Sequence, residues 1–104
     1  MRKVLKNTAK TRAYLNSLPK IYIVGCWAKY GVREYPFTGK YALNRDGISV
    51  PLVYDYDDRN GTCDNYYLCR LDQTTSGAVV MWTQHKNTAH VIAALFNKEM
   101  CYEN

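Results

Sequence analysis

Between Ile21 and Thr83, short β-prone runs alternate with turn signals at close intervals. This pattern constrains the fold more than any other feature. Short connections join antiparallel neighbours, because a parallel neighbour needs a crossover of a dozen or more residues. The clearest unit is Asn44-Arg45-Asp46-Gly47 between Lys40–Leu43 and Ile48–Tyr54. It reads as a type I turn with its glycine placed for a left-handed bulge, hence a hairpin. Ile21–Val24 is apolar on both faces, as in a central strand, and Gly25 then marks a bulge or a close backbone approach. A turn at Tyr30-Gly31 leads into Val32–Tyr35. Pro36 there, and Pro51 in the hairpin's second strand, argue for edges or breaks, because proline donates nothing to a ladder. Asp57–Gly61 is a second turn, Tyr66–Leu71 a strand, Gln73–Gly77 a third turn and Ala78–Thr83 a last strand, together a meander.

Helices are expected at both ends. Val4, Thr8, Thr11, Leu15 and Leu18 recur at helical spacing and Pro19 stops the pattern, so residues 4–18 read as a helix, or as a helix preceded by a few extended residues. On the helical reading, Lys3, Lys6 and Lys10 fall in one arc as a lysine stripe. Asn87 or Thr88 caps the final helix, with Ala89, Ile92, Ala93 and Phe96 on one face and Val91 and Leu95 widening it. The expected class is α+β, one domain over residues 1–104: a twisted antiparallel sheet of five or six strands with both helices packed on one face.

Charge is polarised along the chain. Residues 1–45 hold ten of the fourteen Lys and Arg and a single acid, Glu34, whereas residues 46–104 hold four basic and eight acidic residues. If the fold keeps these parts separate, one face attracts phosphates or an acidic protein surface. Ten tyrosines stand against two Phe and two Trp, and a tyrosine buries a ring while offering its hydroxyl to water or a partner. The candidate binding residues are Lys3, Lys6, Lys10, Arg12, Lys20, Lys29, Arg33, Lys40 and Arg45, interleaved with Tyr22, Tyr30, Tyr35 and Tyr41, and with Tyr14 beside them. Cations would neutralise phosphates while exposed rings stack on unpaired bases.

Chemistry-bearing motifs are scarce. Cys63-x5-Cys69 followed by His85-x4-His90 offers zinc-ligand types at poor spacing, with Cys101 as a further candidate. Asp55, Asp57, Asp58 and Asp64 surround Asn60-Gly61, yet a calcium loop counted from Asp55 would put Asn60 where glycine belongs and Tyr66 where glutamate belongs. Thr38-Gly39-Lys40 ends like a phosphate-binding loop but lacks the earlier glycine and the following Ser or Thr. No nucleophile and base share a recognisable context, so no enzyme, metal or cofactor is expected. The longest apolar runs, Ala78–Trp82 and Val91–Phe96, are far below the roughly 20 residues of a membrane span. The basic start is not followed by the apolar stretch of a secretory signal, so a cytosolic protein with reduced Cys26, Cys63, Cys69 and Cys101 is expected.

The segment Ala78–Thr83 followed by Asn87–Asn97 resembles the strand-then-helix ending of small phage and mobile-element accessory proteins, anti-CRISPR proteins among them. The resemblance implies a stand-alone, non-catalytic protein that binds a host protein or ribonucleoprotein complex, and it assigns no residue a role. The net charge of +5 departs from the acidic DNA mimics of that class. Direct binding of single-stranded DNA or RNA is the alternative, and a zinc-stabilised domain a further one.

Overall fold

A computed structural model of the chain describes the backbone of residues 3–59, 62–74 and 78–103, and the side chains of 3–56, 63–74 and 79–98. The elements in chain order are β1 (Val4–Lys6), α1 (Ala9–Ser17), β2 (Lys20–Trp27), β3 (Lys29–Leu43), β4 (Ser49–Arg59), β5 (Thr62–Arg70), a 3-10 turn (Leu71–Gln73), β6 (Ala78–Thr83) and α2 (Lys86–Glu103). The expected α+β class is observed, as a six-stranded antiparallel sheet in the order β1-β5-β4-β3-β2-β6 with two helices. No helix among the described residues is long and apolar enough to cross a membrane. The chain divides into two compact units, Met1–Pro19 with Tyr35–Thr75, and Lys20–Glu34 with Ser76–Asn104.

In the first unit, residues 4–6 are strand and the helix starts only after them. Val4 to Lys6 pair with Tyr67 to Asn65 of β5. Asn7 then fastens the junction: its N–H donates to the Asp64 carbonyl at 3.0 Å and its Nδ2 to the Cys63 carbonyl at 2.7 Å. Thr8 caps α1, its hydroxyl accepting the Thr11 N–H at 3.1 Å. The expected lysine stripe therefore does not form. Strand side chains alternate between faces, so Lys6 projects opposite to Leu5, and Lys10 belongs to a separate helix.

The hairpin at Asn44 is as the sequence predicts. The Asn44 carbonyl accepts from Gly47, its Oδ1 accepts from Asp46 and Ile48, and Gly47 takes φ +75°. The strand leading into it is longer than expected, for β3 runs unbroken through Tyr30-Gly31 and Pro36. Chain reversal occurs earlier, at Ala28, a non-glycine residue at φ +80°. Between Phe37 and Tyr41 the strand bulges, four steps facing the two from Val53 to Pro51, and Gly39 there adopts φ +82°. Pro51 does not mark an edge strand, because β4 pairs with both β3 and β5. The missing donor is tolerated because β4–β5 pairing ends one residue later, at Leu52 opposite Arg70. The expected turn at Asp57–Gly61 is shorter than predicted, since Asp57–Arg59 continue β4 and Arg59 pairs with Thr62. Asn60 and Gly61 lie outside the described residues.

In the second unit, β6 pairs with β2, so the expected meander is corrected: β4 and β5 pair as neighbours, but the partner of β6 is β2 and not β5. The bulge expected at Gly25 is present, as a register shift between Val24 and Gly25. Helix α2 starts at Lys86, before either expected cap, with the Ala89 N–H bonded to the His85 carbonyl. Val24, Ala89 and Ala93 form its buried contact, flanked by Tyr22, Tyr30, Val32, Met81 and Ile92. Val91 and Leu95 do not widen that face, each being 58% exposed.

Candidate polyanion-binding surface of the first unit

The charge polarity of the sequence does not become a polarity between the units. The first unit contains nine Lys and Arg and six acids, the second five and three, because β4 and β5 bring the acidic stretch into the unit that holds the basic N-terminus. Inside the first unit the separation persists locally: residues 1–19 carry five basic residues and no acid.

The faces of β4 and β5 sort the remaining groups. Tyr54 pairs with Leu68 and Tyr56 with Tyr66, so these four share one face. Asp55 and Tyr67 share the other, where the Tyr67 hydroxyl donates to Asp55 at 3.4 Å. Helix α1 lies over the first face, the Tyr14 ring meeting Tyr54 edge-on at 6.3 Å. Tyr54 is buried beneath, while Tyr14 is 46% exposed. Lys3, Tyr14, Thr38 and Lys40 rim a shallow cleft of about 180 Å³ floored by Leu52, Tyr54 and Leu68. The β3 bulge builds one wall. Its Thr38 hydroxyl donates to the Leu52 carbonyl at 2.9 Å and accepts the Lys40 N–H at 3.2 Å, which fixes where Lys40 leaves the backbone.

Lys3, Lys6, Lys10 and Lys40 are exposed, and among the described residues none has a carboxylate partner. Among the described residues of this unit, Arg70 and Asp72 form an ion pair, 3.0 Å apart. Arg12 donates to Asn7 Oδ1 at 2.7 Å and so braces the strand–helix junction. Burial, helped by a hydrogen bond and charge interaction with Cys63, raises the pKa of Tyr66 above the ordinary tyrosine value of 10.0, against the lowering effect of the Arg12 charge. The Arg12 charge is thus felt by a phenol on the cleft face.

The other candidate residues are dispersed. In the first unit Tyr41 is 55% exposed beside Phe37 and Arg45 is exposed in the hairpin turn, but Tyr35 is 8% exposed and committed to the core. In the second, Tyr22 packs around Val24, Ala89 and Ala93, and Tyr30 stacks on Phe96 at 4.9 Å. Arg33 lies 4.2 Å over the Trp27 ring, Lys29 is exposed, and Lys20 is half-buried at the start of β2 and already engaged. Neither Tyr22 nor Tyr30 presents a bare ring to a base. The sequence did not mark Leu52, Tyr54 or Leu68 and raised Thr38 only in an incomplete phosphate-loop match, because their role depends on the bulge and on which face each residue takes.

Among the described residues no group of three His, Cys, Asp or Glu side chains is close enough to hold a metal ion. Cys26, Cys63 and Cys69 are thiols, and the side chains of Cys101, Asp57 and Asp58 lie outside the described residues. No family model, curated protein or solved structure matches the chain.

Proposed function

We propose that this is a non-catalytic binding protein, of the kind phages and mobile elements encode, that modulates a host nucleic-acid-handling complex as anti-CRISPR proteins do. It acts through the basic, tyrosine-bearing surface of the first unit. The observation supporting this reading is the group of exposed lysines, Lys3, Lys6, Lys10 and Lys40, without carboxylate partners among the described residues, of which Lys3 and Lys40 rim a cleft with exposed Tyr14. Such charges are solvated and carry no internal bond that a partner must break, so meeting an anionic surface releases counterions at little structural cost.

The test is capture from nuclease-treated bacterial lysate with the tagged full chain and with the double variant Lys6→Glu, Lys10→Glu. The reading predicts recovery of a nucleic-acid-handling complex by the wild-type chain, and its loss both in the variant and as salt rises from about 50 to about 200 mM. Equal recovery by the variant, or recovery of no such complex, contradicts it.

A second reading, direct contact with single-stranded nucleic acid, is favoured by one specific feature. The cleft combines an exposed ring, an apolar floor and two lysines, the pairing that lets a strand be held by stacking and by phosphate neutralisation together.

A further inference from the structure

We infer that the cleft between α1 and the β3 bulge is a subsite for one nucleotide of a single strand: the base lies against Tyr14 over the Leu52, Tyr54 and Leu68 floor, and the flanking phosphates meet Lys3 and Lys40. This rests on the second reading above and specifies its ligand. Size sets the first limit. At about 180 Å³ the cleft is smaller than the roughly 300–1,000 Å³ of pockets that enclose a whole drug-sized ligand. It therefore takes one unit of a longer chain rather than a complete cofactor. Charge sets the second. Among the described residues both charged groups lining it are lysines and no acid lines it, so the bound unit is anionic, and a lysine ammonium meets phosphate as a point charge without demanding bidentate geometry.

Aromatic geometry sets the third limit. Tyr54 is buried against the edge-on ring of Tyr14, which holds Tyr14 in place while nearly half of it remains open. A fixed open ring beside apolar side chains suits a base face, which any of the bases supplies, so little sequence preference is expected. A duplex is excluded by the same feature, since its bases are stacked on one another. The Thr38 hydroxyl already donates its proton to the Leu52 carbonyl and accepts from Lys40, so it has no donor left for a base edge. Tyr56 and Tyr66 continue the same face beside Arg12, which gives neighbouring nucleotides a path beyond the cleft.

The test is fluorescence anisotropy of the full chain with a labelled mixed-sequence oligonucleotide of about 12 nucleotides, with its duplex form, and with a glutamate-rich peptide that contains tyrosine. Single strand is expected to bind more tightly than duplex or peptide. Tyr14→Leu is expected to weaken single-strand binding at least about fivefold, and Tyr14→Phe to retain it. Lys3→Gln with Lys40→Gln is expected to reduce the log–log salt slope by about 0.7 for each lysine removed. Because Tyr14 touches Tyr54, each variant is melted in parallel, and an unchanged midpoint in Tyr14→Phe keeps the comparison valid. Binding that is unaffected by Tyr14→Leu and by the lysine pair overturns the cleft while leaving the basic surface standing. Tighter binding of duplex or peptide overturns the nucleotide assignment, and no binding of the single strand at low salt overturns it together with the second reading.

Discussion

The two units use the same residue types for opposite purposes. In the second unit aromatic rings and cations satisfy one another: Tyr30 stacks on Phe96, Arg33 covers Trp27, and Asn97 bonds both the N–H and the carbonyl of Tyr30 at 2.9 Å. In the first unit Tyr14 is half open, and Lys3 and Lys40, which rim the same cleft, have no carboxylate partner among the described residues. A tyrosine or lysine count is therefore a poor guide to a binding surface. What matters is whether the fold supplies the partner internally, and α2 does so for Tyr30 whereas α1 leaves Tyr14 exposed.

The comparison can be broken most severely through the alanines of the second unit. Ala89 is fully buried beside Val24 and Ala93, so Ala89→Asp buries an unpaired charge, and a loss of about 3–5 kcal/mol in denaturant unfolding is expected. A loss below 1 kcal/mol, roughly a surface effect, would mean that this small contact does not hold α2. Next comes Asn97→Leu. It leaves a part-buried N–H and carbonyl of Tyr30 unsatisfied, at an expected cost of about 1–3 kcal/mol each, with faster amide exchange at Tyr30 as the local signature.

A matched pair of backbone changes sharpens the contrast further. No atom lies within 4 Å of a Cβ added at Gly39, so Gly39→Ala costs only the strain of positive φ, about 1–2 kcal/mol. It also moves Lys40 and weakens oligonucleotide binding. The reverse change in the second unit, Ala28→Gly, relieves the same strain at φ +80°. It should raise stability by up to about 1 kcal/mol, less the added freedom of the unfolded chain, without altering binding. The smallest effect is in pH. Tyr66 keeps its proton more firmly when folded than when unfolded, so its contribution is intact below pH 10 and is lost as pH rises through the raised value. Tyr66→Phe should flatten that alkaline decline in the unfolding midpoint, and an unchanged decline would show that Tyr66 is not its source.

How far the sequence carried the fold follows local chemistry. The Asn44–Gly47 hairpin, the Gly25 irregularity and the α2 face of Ala89, Ile92, Ala93 and Phe96 were legible because each is decided by residues within a few positions. The sequence left the N-terminus open between a helix from residue 4 and a helix preceded by extended residues, and long-range bonds decide for the latter: pairing of Val4–Lys6 with β5 and the Asn7 bonds to Cys63 and Asp64 outweigh a weak helical period interrupted by threonines. Pro51 misled because the end of a neighbouring strand absorbs its missing donor, and Pro36 because β3 runs through it without a break. The cleft was half legible. Lys3, Lys40 and Tyr14 stood out by type, but the partner strand that turns Leu52, Tyr54 and Leu68 toward them is set by β4–β5 register, which no local pattern encodes.

In the proposed mode of binding, anions meet the first unit through Lys3, Tyr14 and Lys40. Backbone amide NMR of the full chain, titrated with the single-stranded oligonucleotide, tests it most directly. Shifts are expected to concentrate at residues 3, 14, 38–40 and 68, with Lys29, Tyr30 and Arg33 of the second unit unmoved. Shifts concentrated at Lys29 and Arg33, or spread evenly over both units, would contradict it.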